Sequence, residues 1–187
     1  MSIDSLVQLL KKGDQLAFRQ LVDGYQQRVL STAMSMVQDL STAEDITQEV
    51  FVTVYKSILS FNEKSTLSTW IYRITVNKCL DHLRSQKRQK RSGFLTELFH
   101  HDSGEEAIDK RDFVHPGVLA ENREKAQYLF AAIKSLQENQ KTVFILAHIE
   151  ELPQKEVAEI MGLSLKAVES LLQRAKGNLR KLLAEMR

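Results

Sequence analysis

At 187 residues, with 43% hydrophobic and 27% charged side chains, the chain can build one or two small cores and is too apolar to be disordered throughout. Only 7 Gly and 2 Pro punctuate it, which argues against an all-β fold, and its single Cys, Cys79, excludes an intrachain disulfide or a Cys-based zinc cluster. The net charge of +2 is unevenly spread: residues 1–92 carry +4, residues 93–118 carry −4 and residues 119–187 carry +2.

In chain order, the stretch Met1 to Asp14 is polar and lacks the apolar segment and cleavage site of a secretory signal. Asp14 is a good N-cap for a helix that turns Phe18, Leu21, Val22, Tyr25, Val29, Met36 and Val37 inward. Ser41-Thr42-Ala43-Glu44 reads as a capping box. The helix it opens places Ile46, Val50, Val54 and Ile58 on one stripe, with Asp45, Gln48, Glu49 and Thr53 on or near the other side. A polar stretch from Asn62 to Ser68 breaks the pattern, and a further helix runs from about Thr69 into the late eighties, with Ile71, Ile74, Leu80 and Leu83 as core candidates. Residues 93–118 are acidic, lack a steady period and contain Gly93, Gly104, Pro116 and Gly117, so they read as a flexible linker. Beyond it, one helix carries Leu129, Ile133 and Leu136, and a second carries Val143, Leu146 and Ile149. Pro153 opens a short third helix, Gly162 closes it, and Ser164 caps a long helix that runs to about Ala184. The expectation is an all-α protein of two small helical domains, residues 1–92 and 119–187, joined by the acidic linker 93–118. No apolar run approaches the ~20 residues of a membrane span, so a soluble, cytoplasmic protein is expected.

Two constellations could carry function. Residues 154–176 have the layout of a helix-turn-helix with its glycine in the turn. In its second helix Leu165, Val168, Leu172, Ala175 and Leu179 form the apolar stripe, with Leu171 at its edge. Lys166, Ser170, Gln173, Arg174 and Gly177 point away, and such side chains can donate to base edges and phosphates. DNA binding is the favoured reading of this segment, with a solvated helical hairpin as its alternative. The other constellation is the face shared by Trp70, Arg73, Asn77, Asp81, Arg84 and Arg88 at steps of three or four. An exposed Trp beside Arg and Asn suits an unstacked base, the ring stacking and the amide hydrogen-bonding while Arg meets phosphate. A Trp buried beneath a solvated basic face fits the same spacing. His100-His101-Asp102 has no matching ligand pair, Asp81-His82 lacks a phosphohydrolase pattern and Cys79 reads as a packed thiol. No metal or cofactor site and no catalytic residue is expected.

The runs Ala43-Glu44-Asp45-Ile46-Thr47-Gln48-Glu49-Val50-Phe51 and Ser68-Thr69-Trp70-Ile71-Tyr72-Arg73-Ile74-Thr75-Val76-Asn77 strongly resemble the sigma-70 family, specifically its extracytoplasmic-function (ECF) subgroup. The stretch from Leu152 to Ser164 is similar to the family's second conserved domain, and the three motifs come in the family's order. The resemblance implies a promoter-specificity subunit that binds core RNA polymerase, opens the −10 element and reads the −35 element, in the family's stress-response style. By that likeness Asp45, Gln48, Glu49 and Thr53 lie at or near the contact with the clamp helices of the polymerase beta-prime subunit, the beta subunit being a further contact. Asn62, Lys64 and Ser65 fall in the loop over the pocket for a flipped −10 base. Trp70, Arg73, Asn77, Arg84 and Arg88 lie on the single-stranded −10 surface. Lys166, Glu169, Ser170, Gln173, Arg174 and Lys176 face the −35 duplex. The acidic linker is similar to family linkers that thread basic channels of the polymerase, and the likeness also implies an anti-sigma partner. Many relatives carry Lys or Arg where this chain has Glu169, and Arg where it has Leu171.

Two other readings are a helix-turn-helix regulator that binds duplex DNA unaided and a helical nuclease or phosphohydrolase. The first has no need of a strand-opening surface, and the second requires a convergent carboxylate or His cluster that the sequence does not offer. The departure at Glu169 yields a test. Glu accepts from a cytosine amine and repels phosphate, and one base-edge contact is worth ~1–3 kcal/mol of discrimination. Glu169→Arg should therefore change which −35 sequences emerge from a randomised selection with core polymerase present. A uniform gain in affinity with an unchanged motif would make Glu169 a bystander.

Overall fold

The computed structural model describes the backbone of residues 3–99 and 123–185 and the side chains of residues 5–89 and 125–184. Every regular element among these is helical. The expected linker falls largely outside them, as does the whole of His100-His101-Asp102.

Helix α1 (Ile3–Lys11) was not foreseen in the polar N-terminus; its Val7 and Leu10 are buried against the rest of the first domain. Helix α2 (Gln15–Val37) starts as expected, with Asp14 Oδ1 accepting from Ala17 N–H at 2.9 Å. It ends at Gln38, which takes the left-handed conformation (φ 58°) without being a glycine, and the Gln38 N–H returns to the Met34 carbonyl. Helix α3 (Leu40–Ser57) begins before the expected capping box: Asp39, not Ser41, is the N-cap, accepting from Thr42 N–H at 2.8 Å. With Asp39 as the cap the helix already begins at Leu40, so Ser41 falls within its first turn and the expected box is displaced. A 3-10 turn (Ile58–Ser60) leads to the loop, and α4 (Leu67–Phe99) starts two residues ahead of the expected Thr69 and runs past residue 92. Thr66 Oγ1 takes the Thr69 N–H at the start of α4. Three buried hydroxyls in this domain are satisfied within their own helices: Thr32, Thr47 and Thr75 each donate to the carbonyl four residues back.

The second domain comprises α5 (Arg123–Lys134), α6 (Glu138–Phe144), α7 (Gln154–Met161) and α8 (Leu165–Glu185). The helix expected around Val143, Leu146 and Ile149 is not uniform: from Ile145 to Ile149 it widens to a π-turn, and Glu150 N–H reaches the Ile145 carbonyl five residues back. Gly162 (φ 64°) closes α7, and Ser164 Oγ accepts from Ala167 N–H to open α8. The apolar stripe of α8 is Val168, Leu172, Ala175 and Leu179; Leu165, expected to head it, is exposed.

The two domains pack together. Buried side chains from Val7 to Leu80 and from Phe130 to Leu179 form one continuous apolar cluster, with α7 against α4 and the π-turn against α2. Gln38 spans the junction, its Nε2 donating to the Phe130 carbonyl at 2.8 Å.

Gly24 lies exposed in the middle of α2, and a Cβ there would meet nothing within 4 Å. Gly24→Ala should thus raise stability by about 0.5–1 kcal/mol through helix propensity and unfolded-state entropy. Urea midpoints of the two proteins would measure it.

Candidate nucleic-acid interface

The loop between the 3-10 turn and α4 forms the rim of a pocket. Asn62 Oδ1 accepts from Lys64 N–H at 3.3 Å, Glu63 turns the chain at φ 60°, and Lys11 Nζ grips Glu63 at 2.8 Å, tying the loop to α1. Behind it, the buried Phe61 ring lies 5.1 Å from Trp70, tilted by 37°. Trp70 is therefore half-buried and forms a wall, between the exposed ring and the buried one that its helical spacing left open. Asn62, Lys64, Ser65, Trp70 and Arg73 together line a space of about 480 Å³, ample for one base. Ser60, Phe61 and, from α7 of the other domain, Glu159 complete the lining.

That contribution from α7 belongs to a wider pattern. Arg73 Nη2 donates to the Glu159 carbonyl at 2.6 Å, and Thr69 Oγ1 donates to Glu156 Oε1 at 3.1 Å. Arg84 binds Glu138 through two nitrogens, at 2.8 and 3.2 Å, and also lies 3.8 Å from Asp81. Asn77 and Arg88 remain exposed. The structure thus brings the basic face of α4 together as expected and then lays acidic residues of the second domain along it. Sequence reasoning missed Glu138, Glu156 and Glu159. Their one signal was that most acids of residues 119–187 precede the recognition helix while its bases follow.

At the centre of the junction sits Glu150. Its Oε1 accepts from Ser31 Oγ at 2.9 Å and its Oε2 from Tyr72 Oη at 3.3 Å, so one carboxyl bridges α2 and α4. Burial raises its pKa above 4.5, a rise opposed by the hydroxyls of Ser31, Thr32 and Tyr72 and by Arg28. The Tyr72 phenol is pushed up in turn, chiefly by burial and then by the Glu150 charge.

On α3, Asp45, Gln48 and Glu49 are exposed, whereas Thr53 is half-buried and returns its hydroxyl to the Glu49 carbonyl. Glu49 also holds Lys78 at 3.0 Å. The stripe Asp45–Gln48 continues through Val52, Tyr55 and Leu59, which are exposed at 51%, 55% and 74%. These apolar positions recur at helical spacing outside the core stripe, a signal already present in the sequence. Tyr55 is braced edge-on against Phe18, with ring centroids 5.1 Å apart.

On α8, Lys166, Glu169, Gln173, Arg174 and Lys176 are exposed and Ser170 is half-buried. Arg174 Nη2 donates to Ser170 Oγ at 2.8 Å, which holds the guanidinium along the outer face. Helices α7 and α8 join through the tight turn expected of a helix-turn-helix.

A base-sized pocket beside a basic helix, combined with a helix-turn-helix, defines a two-module DNA-reading protein. Residues 21–89 match the family model described as Sigma-70 region 2, and residues 126–179 match Sigma-70, region 4. The chain is 31% identical to the ECF RNA polymerase sigma factor SigW of Bacillus subtilis (strain 168), over 100% of this chain and 99% of that protein. It is 32% identical to the ECF RNA polymerase sigma-E factor of Escherichia coli (strain K12), over 91% and 88% of the two chains. In fold it is similar to CnrH in complex with the cytosolic domain of CnrY (TM-score 0.70, 23% identity, 98% and 97% covered). It is likewise similar to the sigma factor RpoE in complex with the anti-sigma factor NepR from Bartonella quintana (TM-score 0.66, 22% identity, 91% and 98% covered). The chain belongs to the ECF subgroup of the sigma-70 family, non-enzymatic factors that bind core RNA polymerase and direct initiation at promoters. None of its described helices is long and apolar enough to cross a membrane.

The junction carboxyl gives a pH test. A raised pKa means that the folded state holds this proton more tightly than the unfolded state. Its stabilising effect is full below 4.5 and is lost as pH rises through the elevated value. Glu150→Gln should flatten that loss, so wild type should fall behind the variant in urea midpoint as pH climbs from 4.5 to 8. Parallel curves would mean that Glu150 titrates as it does in the unfolded chain.

Proposed function

We propose that residues 1–92 bind core polymerase and open the −10 element, that residues 119–187 read the −35 element, and that residues 93–118 connect the two. The work takes place in the cytoplasm, with the polymerase. The observation that carries the −10 assignment is the pocket of Asn62, Lys64, Ser65, Trp70 and Arg73 beneath a loop braced by the Lys11–Glu63 pair. A base flipped into it would stack on Trp70, while Arg73, Asn77, Arg84 and Arg88 along α4 would follow the backbone of the opened strand. Flipping costs a few kcal/mol of stacking, which the ring and the polar rim would return. Asp45, Gln48, Glu49 and Thr53, continued by Val52, Tyr55 and Leu59, form the polymerase-facing side of α3: a polar end for register and an apolar end for affinity. Lys166, Glu169, Ser170, Gln173, Arg174 and Lys176 face the −35 duplex, and an anti-sigma protein is the natural antagonist.

The closed packing adds a requirement. Arg73 and Arg84 cannot meet phosphate while Glu159 and Glu138 hold them, so the second domain must leave α4 before the −10 strand can bind. Core polymerase would supply that separation by engaging α3 and spacing the two domains.

Two experiments test this reading. Trp70→Ala and Arg73→Ala should each reduce transcription with core polymerase from a duplex promoter by tenfold or more, and a template mismatched across the −10 region should rescue part of the loss. Equal loss on both templates, with helical signal intact, would remove the strand-opening role. The double variant Glu138→Gln/Glu156→Gln should loosen the closed packing and raise binding of the free protein to a single-stranded −10 oligonucleotide several-fold. Unchanged binding would show that these acids do not gate the site.

A further inference from the structure

Between the domains, further along α4 from the base pocket, lies a second cleft of about 550 Å³. Three lysines on three helices line it: Lys87 from α4, Lys134 from α5 and Lys141 from α6. Lys141 is only 7% exposed. Among the described residues, neither Lys141 nor Lys134 has a carboxylate within ion-pair distance or a hydrogen-bond acceptor for its ammonium. The two acids on the same wall are already engaged. Glu138 holds Arg84 at 2.8 Å and faces Lys87 at 3.9 Å, and Asp39 caps α3 through the Thr42 N–H.

A buried ammonium without a counter-charge is a standing cost to the fold. Lys141 registers it, pushed down to about 8 chiefly by burial and then by Lys134, with Cys79 opposing, Lys87 adding a smaller push down and Glu138 opposing least. A lysine stem serving only as packing would be replaceable by any apolar chain. Three ammonium groups converging on one water-accessible space, the innermost of them unpaired, are the arrangement a multivalent anion neutralises.

We infer that this cleft is a binding site for a small diphosphate-bearing anion, held by Lys87, Lys134 and Lys141. Phosphate oxygens are the chemistry that suits it: several charges on one compact group, each oxygen able to accept from a different ammonium. The volume leaves room for a diphosphate with part of an attached organic group. Because Lys87 belongs to the first domain while Lys134 and Lys141 belong to the second, the bound anion would bridge them and favour the closed packing. The inference does not rest on the transcription reading.

The test is calorimetric titration of the full chain with pyrophosphate and, separately, with ADP, at matched ionic strength. Pyrophosphate should bind and should raise the melting temperature by mass action. ADP binding no tighter than pyrophosphate would identify the free diphosphate as the ligand, and tighter ADP binding would identify an esterified one. Lys141→Met should weaken binding at least tenfold, and Lys134→Gln, on an exposed position that cannot unfold the core, about fivefold. Lys12→Gln, at a distant exposed lysine, should bind as wild type does. At pH 8, binding to wild type should take up more protons than binding to Lys141→Met, measured in two buffers of different ionisation enthalpy. Heats and melting shifts reproduced by sodium chloride at the same ionic strength would overturn the site, as would wild-type affinity in Lys134→Gln.

Discussion

One carboxyl group organises the contact between the two halves of this molecule. Glu150 leaves the second domain at the end of a π-turn, and the extra residue in that turn re-aims it toward α2 and α4. There it accepts from Ser31 and Tyr72, groups that would be unsatisfied in the junction without it. An α-helical continuation would rotate the residue away and leave Tyr72 buried with its hydroxyl unmet. The apolar contact around it holds the domains together in a non-directional way, and the Glu150 bridge, with the bonds of Gln38, Thr69, Arg73 and Arg84, sets their orientation.

With that orientation fixed, the electrostatics of the first domain change character. The bases of α4 suit an opened DNA strand, yet Arg73 and Arg84 are turned onto a carbonyl and a carboxylate of the second domain. Exposed ion pairs of this kind are individually worth ~0–1 kcal/mol, and Arg84 is more than half exposed, so the covering is shallow. It can compete with adventitious anions and still yield to a partner that grips both domains. The same weakness makes the packing sensitive to charges placed nearby, on Glu138 above all.

The sequence made the helices legible because their apolar positions recur with a period near 3.6 and because Asp14, Gly162 and Ser164 cap them with side chains suited to the job. It also brought two members of the base pocket, Trp70 and Arg73, to one face with Asn77, since the three are neighbours by helical spacing alone. What it obscured falls into two physical kinds. Local competition between caps was misjudged at Asp39, where two plausible oxygens stood two residues apart. Tertiary contact was invisible: no periodicity relates Tyr72 to Glu150, 78 positions on, or Arg84 to Glu138, 54 positions on. Trp70 belongs to this second kind, because spacing places a side chain on a face while only the neighbouring Phe61 decides how deep it sits. Likewise Val52, Tyr55 and Leu59 carry nothing in sequence that separates them from core residues, and only the packed stripe beside them shows that they stay exposed.

Cys79 is the chain's one sulfur nucleophile. It is fully buried in α4, and burial pushes its thiol up to about 12. At neutral pH the thiolate population is vanishingly small, and oxidants reach thiols through the thiolate. The chain's one thiol is consequently insulated from peroxide and from disulfide exchange while the protein is folded. A redox signal that works through thiol chemistry must therefore be sensed by another molecule and passed on as a change of binding.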